Sequence, residues 1–192
     1  MKHKGKLIIA VIVVAVVVVL GFLWCTHRQS RTYIRAMEAE VSHFDLLFHR
    51  YGSVSFRHQG EEVSVYLAQY ERDERVLHEQ VGGLGVGAET FDGTILWGVT
   101  TEGDEPLELR TIVAVDGAWG QKSFDLSAID FNFAALITTG GISAEREEIE
   151  AGRRYVLHLW QSGGMIWYDG DVFRPDRLRE NEHTLILYVV FE

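Results

Sequence analysis

The run Val81 to Thr94, VGGLGVGAETFDGT, places glycines at positions 82, 83, 85 and 87 and reads as Gly83-x-Gly85-x-x-Ala88, the loose spacing of a dinucleotide-binding loop. Such a loop cradles phosphate only where a strand leads into it and a helix opens directly after it, because the free N–H groups of the first helical turn hold the anion. Here RVLHEQV can be the strand, but ETFDG and then the β-rich TILWGVTT follow, so nothing supplies the helix. The glycines are therefore expected to form a hairpin connection or a bulged edge, and no nucleotide and no other cofactor is expected.

Other candidate chemistry also lacks its partners. HEQVG at His78 begins like a zinc-peptidase helix but puts Gly82 where the second histidine must stand, and it is strand sequence besides. His43 and His49 are six apart and share no helix face, while His58, His158 and His183 are scattered and read as surface or interface residues, so no metal site is expected. YDGDVFRPDRLRENE gathers Asp169, Asp171, Asp176, Glu180 and Glu182, but the EF-hand ligand order is absent and Arg174, Arg177 and Arg179 interleave. That pattern predicts a solvated, salt-bridged loop. Ser162 has Trp160 rather than glycine two residues before it, and the dense acids of EREEIE, Glu145 to Glu150, suit a polar face. Catalysis is not expected; an envelope hydrolase with a carboxylate site stays as an alternative, since paired carboxylates require no sequence motif.

What remains is aromatic. Trp97, Trp119, Trp160, Trp167 and Tyr168 lie on or beside strand-like runs, where core packing is the ordinary role of such residues. Trp119 stands apart because, in DGAWGQK, it is flanked by turn glycines that place it poorly for a core and well for a contact. Trp119, with Trp167 and Tyr168, is the candidate ligand-binding set.

The elements that would position these residues begin with residues 7–25, LIIAVIVVAVVVVLGFLWC, nineteen positions without a charge. At about 1.5 Å per residue they would span close to 28 Å, near the roughly 30 Å of a bilayer core. The stretch exceeds a signal-peptide core and lacks a good small-x-small cleavage site, and Trp24 before Cys25 argues against a lipoprotein site. It reads as a retained transmembrane anchor in contact with membrane lipid. Lys2, Lys4 and Lys6 mark the short 1–6 tail as cytoplasmic, and Trp24 suits the outer interface.

All 28 acids occur from Glu38 onward in a chain of net charge −10, which disfavours nucleic acid as a partner. The single cysteine excludes an intrachain disulfide.

Residues 26–52 read as a juxtamembrane amphipathic helix, with Ile34, Met37, Val41, Phe44 and Phe48 in one stripe at spacings of 3 and 4, and Gly52 just past its end. That stripe would pack on the domain or drive self-association. From residue 53 the period becomes two, as in EVSVYLAQY, LELRTIVAV and RYVLHLWQ, with turn signals at Asp92-Gly93, Asp116-Gly117 and elsewhere. Residues 53–192 are thus expected to form an antiparallel β-sandwich of eight or nine strands. Its last strand is apolar on both faces from Leu185 to Phe191 and needs a lid on the outer side, for which the 33–51 helix is the available amphipathic element. The whole reads as a single-pass, extracytoplasmic, non-catalytic binding or assembly module of the cell envelope, partnered by another envelope protein or, alternatively, by a glycan.

Overall fold

The computed structural model describes residues 17–19, 32–37, 50–85, 87, 90–102, 105–129, 137–142, 145–163 and 172–192. The chain divides into two compact units, Met1–Arg31 and Thr32–Glu192. In the first, Val17, Val18 and Val19 are helical and exposed; the rest of 7–25, with Lys2, Lys4, Lys6 and Trp24, lies outside the described residues. Among the described residues no helix is long and apolar enough to cross a membrane.

The second unit is mainly β. Its described strands are β1 Tyr33–Ala36, β2 Arg50–Gln59, β3 Glu62–Glu71, β4 Glu74–Gly85, β5 Thr90–Glu102, β6 Glu105–Val115, β7 Ala118–Asp125, β8 Ile137–Gly140, β9 Glu147–Glu148, β10 Arg154–Ser162 and β11 His183–Phe191. They form a six-stranded sheet in the order β7-β6-β5-β2-β1-β9 and a five-stranded sheet in the order β4-β3-β11-β10-β8. Every pairing is antiparallel.

One core joins the two sheets. Val54, Phe56, Ile95, Trp97, Leu109 and Val113 from the six-stranded sheet pack with Val63, Val65, Leu67, Leu185, Leu187 and Phe191 from the five-stranded one. Period-two alternation puts these on the inner faces, and at about 25 cal/mol per Å² of apolar surface this burial is the main stabilising term. The alternation slips once, in β10. Tyr155 and Leu157 point inward as their spacing predicts, but a bulge between Val156 and His158 turns Leu159 outward and brings Trp160 into the core. One extra residue opposite Leu187 inverts the faces of everything after it.

The helix expected over 26–52 is strand at both of its described ends. Tyr33–Ala36 is β1, in which only Ile34 is fully buried, inside the inter-sheet core; four residues are too few to tell period two from period three-and-four. Met37 follows β1 and is exposed, and Val41, Phe44 and Phe48 lie outside the described residues. Gly52 is not a helix end but an inward position of β2, where a Cβ would meet the Trp97 ring at 2.1 Å. Asp92-Gly93 is likewise not a turn. It lies within β5, and Gly93 makes room for the Phe56 ring, 2.3 Å from where its Cβ would stand.

The lid also comes from another segment. β11 is central and covered on both sides, as its composition predicts, but on its outer face Ala68, Tyr70, Leu159, Ile186 and Tyr188 pack under Val172, Phe173 and Leu178. The lid thus lies within the acidic loop, around the single helical turn Pro175–Leu178. Of the charges interleaved there, Arg174, Asp176, Arg179, Glu180 and Glu182 are exposed and Arg177 is half-buried, with Arg174 bridging Asp176 at 2.7 Å and Arg179 bridging Asp73 at 2.6 Å; Asp169 and Asp171 lie outside the described residues. Arg174 holds the Asp176 carboxyl below its usual range.

Candidate functional site

The glycine run resolves first. Gly82, Gly83 and Gly85 all belong to β4, whose register against β3 shifts at Val65/Tyr66, opposite Val81. Val81 is buried, and its carbonyl accepts a hydrogen bond from the Thr111 hydroxyl on β6. A Cβ on Gly82 would stand 2.6 Å from that same oxygen, and one on Gly120 of β7 would stand 3.1 Å from the Gly83 carbonyl. The Lys122 ammonium donates to the Gln80 carbonyl along the same seam. Gly82 and Gly120 therefore let the edge of the five-stranded sheet close against β6 and β7. Four residues separate Gly85 from Thr90, fewer than a phosphate-binding helix requires.

The histidines and tryptophans divide by face. His58 is not a surface residue: it is 3% exposed between Phe91 and Phe191, with Nε2 3.4 Å from the Glu192 carbonyl, and burial pushes its pKa down. His78 on β4 stacks on Tyr66 and lies 2.7 Å from the Tyr188 hydroxyl; desolvation, then Arg75 and Arg154, lower its pKa. Trp97 and Trp160 are core residues. Trp167 and Tyr168 lie outside the described residues.

Trp119 is different, being 67% exposed. It stands in the second position of β7 rather than in the turn itself. Asp116 (φ 43°) and Gly117 (φ 87°) form the two-residue connection with left-handed backbone that joins twisted strands tightly, so β7 pairs with β6 from Ala118 onward. β7 shows little hydrophobic alternation because, of its inward positions Gly120, Lys122 and Phe124, the first two face the β4 seam and only Phe124 packs against the core; this is why composition concealed it.

Register then extends a line from Trp119. Trp119 lies opposite Ala114, Ala114 opposite Thr94, Thr94 opposite Ser55, and Ser55 opposite Arg35. These five residues, one from each of five adjacent strands, form a row across the outer face of the six-stranded sheet. Four interstrand steps of about 4.8 Å give it a length of about 19 Å. A large flat aromatic ends the row on one side and a guanidinium on the other, with three short side chains between. Beside it runs a charged ridge in which Tyr33 faces Arg57 and Arg57 faces Asp92, with Asp116 near the turn. On the opposite flank stand half-buried Leu96 and Ile112.

The result is an open trough of about 450 Å³ that both Trp119 and Tyr33 line. Its volume falls within the roughly 300–1,000 Å³ of small-molecule sites.

The polar groups are held in place. Arg57 donates from Nε to Asp92 Oδ1 (2.8 Å) and from Nη2 to Oδ2 (2.5 Å), a two-pronged pair that raises the arginine pKa. Arg35 Nε donates to Ser55 Oγ at 3.1 Å. The Arg146 guanidinium lies 4.3 Å above the Tyr33 ring. With both Asp92 oxygens accepting from Arg57, the pair as a whole offers a planar donor and acceptor surface to a ligand hydroxyl. Among the described residues no group of three or more histidine, cysteine, aspartate or glutamate side chains could hold a metal ion.

Of the candidate ligand-binding residues read from the sequence, Trp119 is placed in this trough, beside the turn-signal residues Asp92, Gly93, Asp116 and Gly117. Tyr33, Arg35, Ser55, Arg57 and Thr94 carry no individual signal, since only the register of strands far apart in sequence aligns them. Comparison with protein-family models, with curated proteins and with solved structures finds no match to this chain.

Proposed function

We propose that the chain is a non-catalytic binding module, a β-sandwich tethered to a membrane through residues 7–25, with its ligand face on the outer surface of the six-stranded sheet. The observation that carries this reading is Trp119, two-thirds exposed at the rim of a trough otherwise floored by short side chains. A large aromatic left in water on a rigid hairpin costs solvation and contributes nothing to the core, so its natural account is a partner that covers it. Glycan is favoured over another envelope protein as that partner. A flat ring beside fixed planar polar groups suits a sugar, which presents one C–H face for stacking and a rim of hydroxyls for hydrogen bonds.

The test is retention of the Thr32–Glu192 unit on purified cell-wall material and polysaccharides, with retention lost in Trp119→Ala. Binding that ignores the substitution would remove Trp119 from the ligand face. The tether predicts that the unit on intact cells is open to added protease, and its protection would place it on the cytoplasmic side.

A further inference from the structure

We infer that the trough takes a linear glycan lying across the strands, with one ring stacked on Trp119 and an acidic substituent held at Arg35. This rests on the reading of that face as the ligand surface and adds the direction of the chain and the chemistry of its far end.

Direction follows from the floor. Of the five strands that supply the row, β6, β5, β2 and β1 each pair with a neighbour on both sides, and β7, which carries Trp119, ends the sheet. The inner four offer no free backbone ladder to a peptide seeking to add as a strand, so along the floor a ligand is read by side chains. Ala114, Thr94 and Ser55 are short and consecutive in the row, which leaves a channel perpendicular to the strands. An elongated ligand follows the channel from Trp119 toward Arg35, with the Arg57–Asp92 pair alongside to meet hydroxyls.

The acidic end follows from charge. Arg35 is exposed, and among the described residues its guanidinium donates through Nε alone, to Ser55 Oγ. Around the adjacent Tyr33 stand Arg35, Arg57 and Arg146, against Asp92 and the cross-strand Glu148; Glu147 is engaged by Arg153 at 2.7 Å. Among the described residues, three guanidiniums stand against two carboxylates at this end, in a chain of net charge −10. Arginine forks recognise carboxylates in a planar, two-pronged manner, and Arg35 lies in the row with no acidic partner among the described residues.

The experiment uses the full chain in detergent against immobilised linear oligosaccharides in acid and ester pairs, polygalacturonate and its methyl ester among them, at low salt. Binding to the acid form is expected to exceed binding to the ester by roughly fivefold, as for one exposed charge contact. Arg35→Gln should erase that difference, bringing binding of the acid form down to that of the ester. Trp119→Ala should weaken both by at least about tenfold, with Trp119→Phe restoring most of the loss. Equal binding of acid and ester by the parent chain, or an acid preference that survives Arg35→Gln, overturns the inference and leaves the ligand face standing. Binding unchanged by Trp119→Ala, or no retention on any glycan, overturns both.

Discussion

The two outer faces of the second unit are built from the same kind of sheet and treated in opposite ways. On the five-stranded sheet, Ile186 and Tyr188 project outward from a central strand and are sealed by Val172, Phe173 and Leu178, with Arg154 stacked on Phe173 at 4.7 Å. On the six-stranded sheet the corresponding positions are Ser55, Thr94 and Ala114, half-buried and lining an open trough. A covered face needs large apolar residues to repay the entropy of ordering its lid, and an open one needs short or polar residues to avoid an adhesive patch. Trp119, 67% exposed, breaks that rule on the open side; Val76 on β4 of the other sheet, 46% exposed, is a smaller and less exposed exception.

Mutations can break this contrast. The largest effect is expected on the sealed face, where Ile186→Ala should destabilise by about 2–5 kcal/mol in denaturant unfolding, with Thr94→Ser on the open face within about 0.5 kcal/mol. Equal losses would mean that the trough is covered as well. Next, Gly82→Val sets new atoms against Thr111 where β4 meets β6, and a loss of about 1–3 kcal/mol is expected from the crowding; a neutral result would show that the seam is loose.

A smaller effect separates the faces by pH. The pKa of His58, in the inter-sheet core, and that of His78, on the sealed side, are lowered in the folded chain, so as pH falls through about 6.5 the unfolded chain takes up protons first. Their contribution is full above that pH and is lost progressively below it. Melting temperatures at pH 7.5 and 5.5 should show the loss, and His58→Gln should flatten part of it; a curve unchanged by the substitution would remove His58 as a source. The smallest stability effect belongs to Trp119→Ala, within about 0.5 kcal/mol by denaturation. A clear loss there would make Trp119 a packing residue and remove its claim on a ligand.

Much of the strand content was legible. Leu185 to Phe191 announced a strand buried on both sides, Asp116-Gly117 announced the hairpin, and the position of Trp119 among turn residues pointed to exposure. Other signals misled for physical reasons. Asp92-Gly93 and Gly52 resemble turn and helix-end residues because glycine is used there too, but in β5 and β2 it makes space for Phe56 and Trp97. Gly82 of VGGLGVG admits the Thr111 side chain of β6 in the same way, a partner no local pattern names. RYVLHLWQ alternates perfectly in sequence, yet one bulge reverses the face of Leu159.

By itself the sequence determined the alternation of faces, the apolar character of β11 and the exposure of Trp119, because these depend on residue type at short range. The tertiary structure alone decided which segment became the lid and which residues stand beside Trp119. Period two says which residues share a face; register says which of them meet. Arg35, Ser55, Thr94, Ala114 and Trp119 form a row only because β1, β2, β5, β6 and β7 pair at one particular offset, and sliding any one of those pairings by a single residue would scatter it.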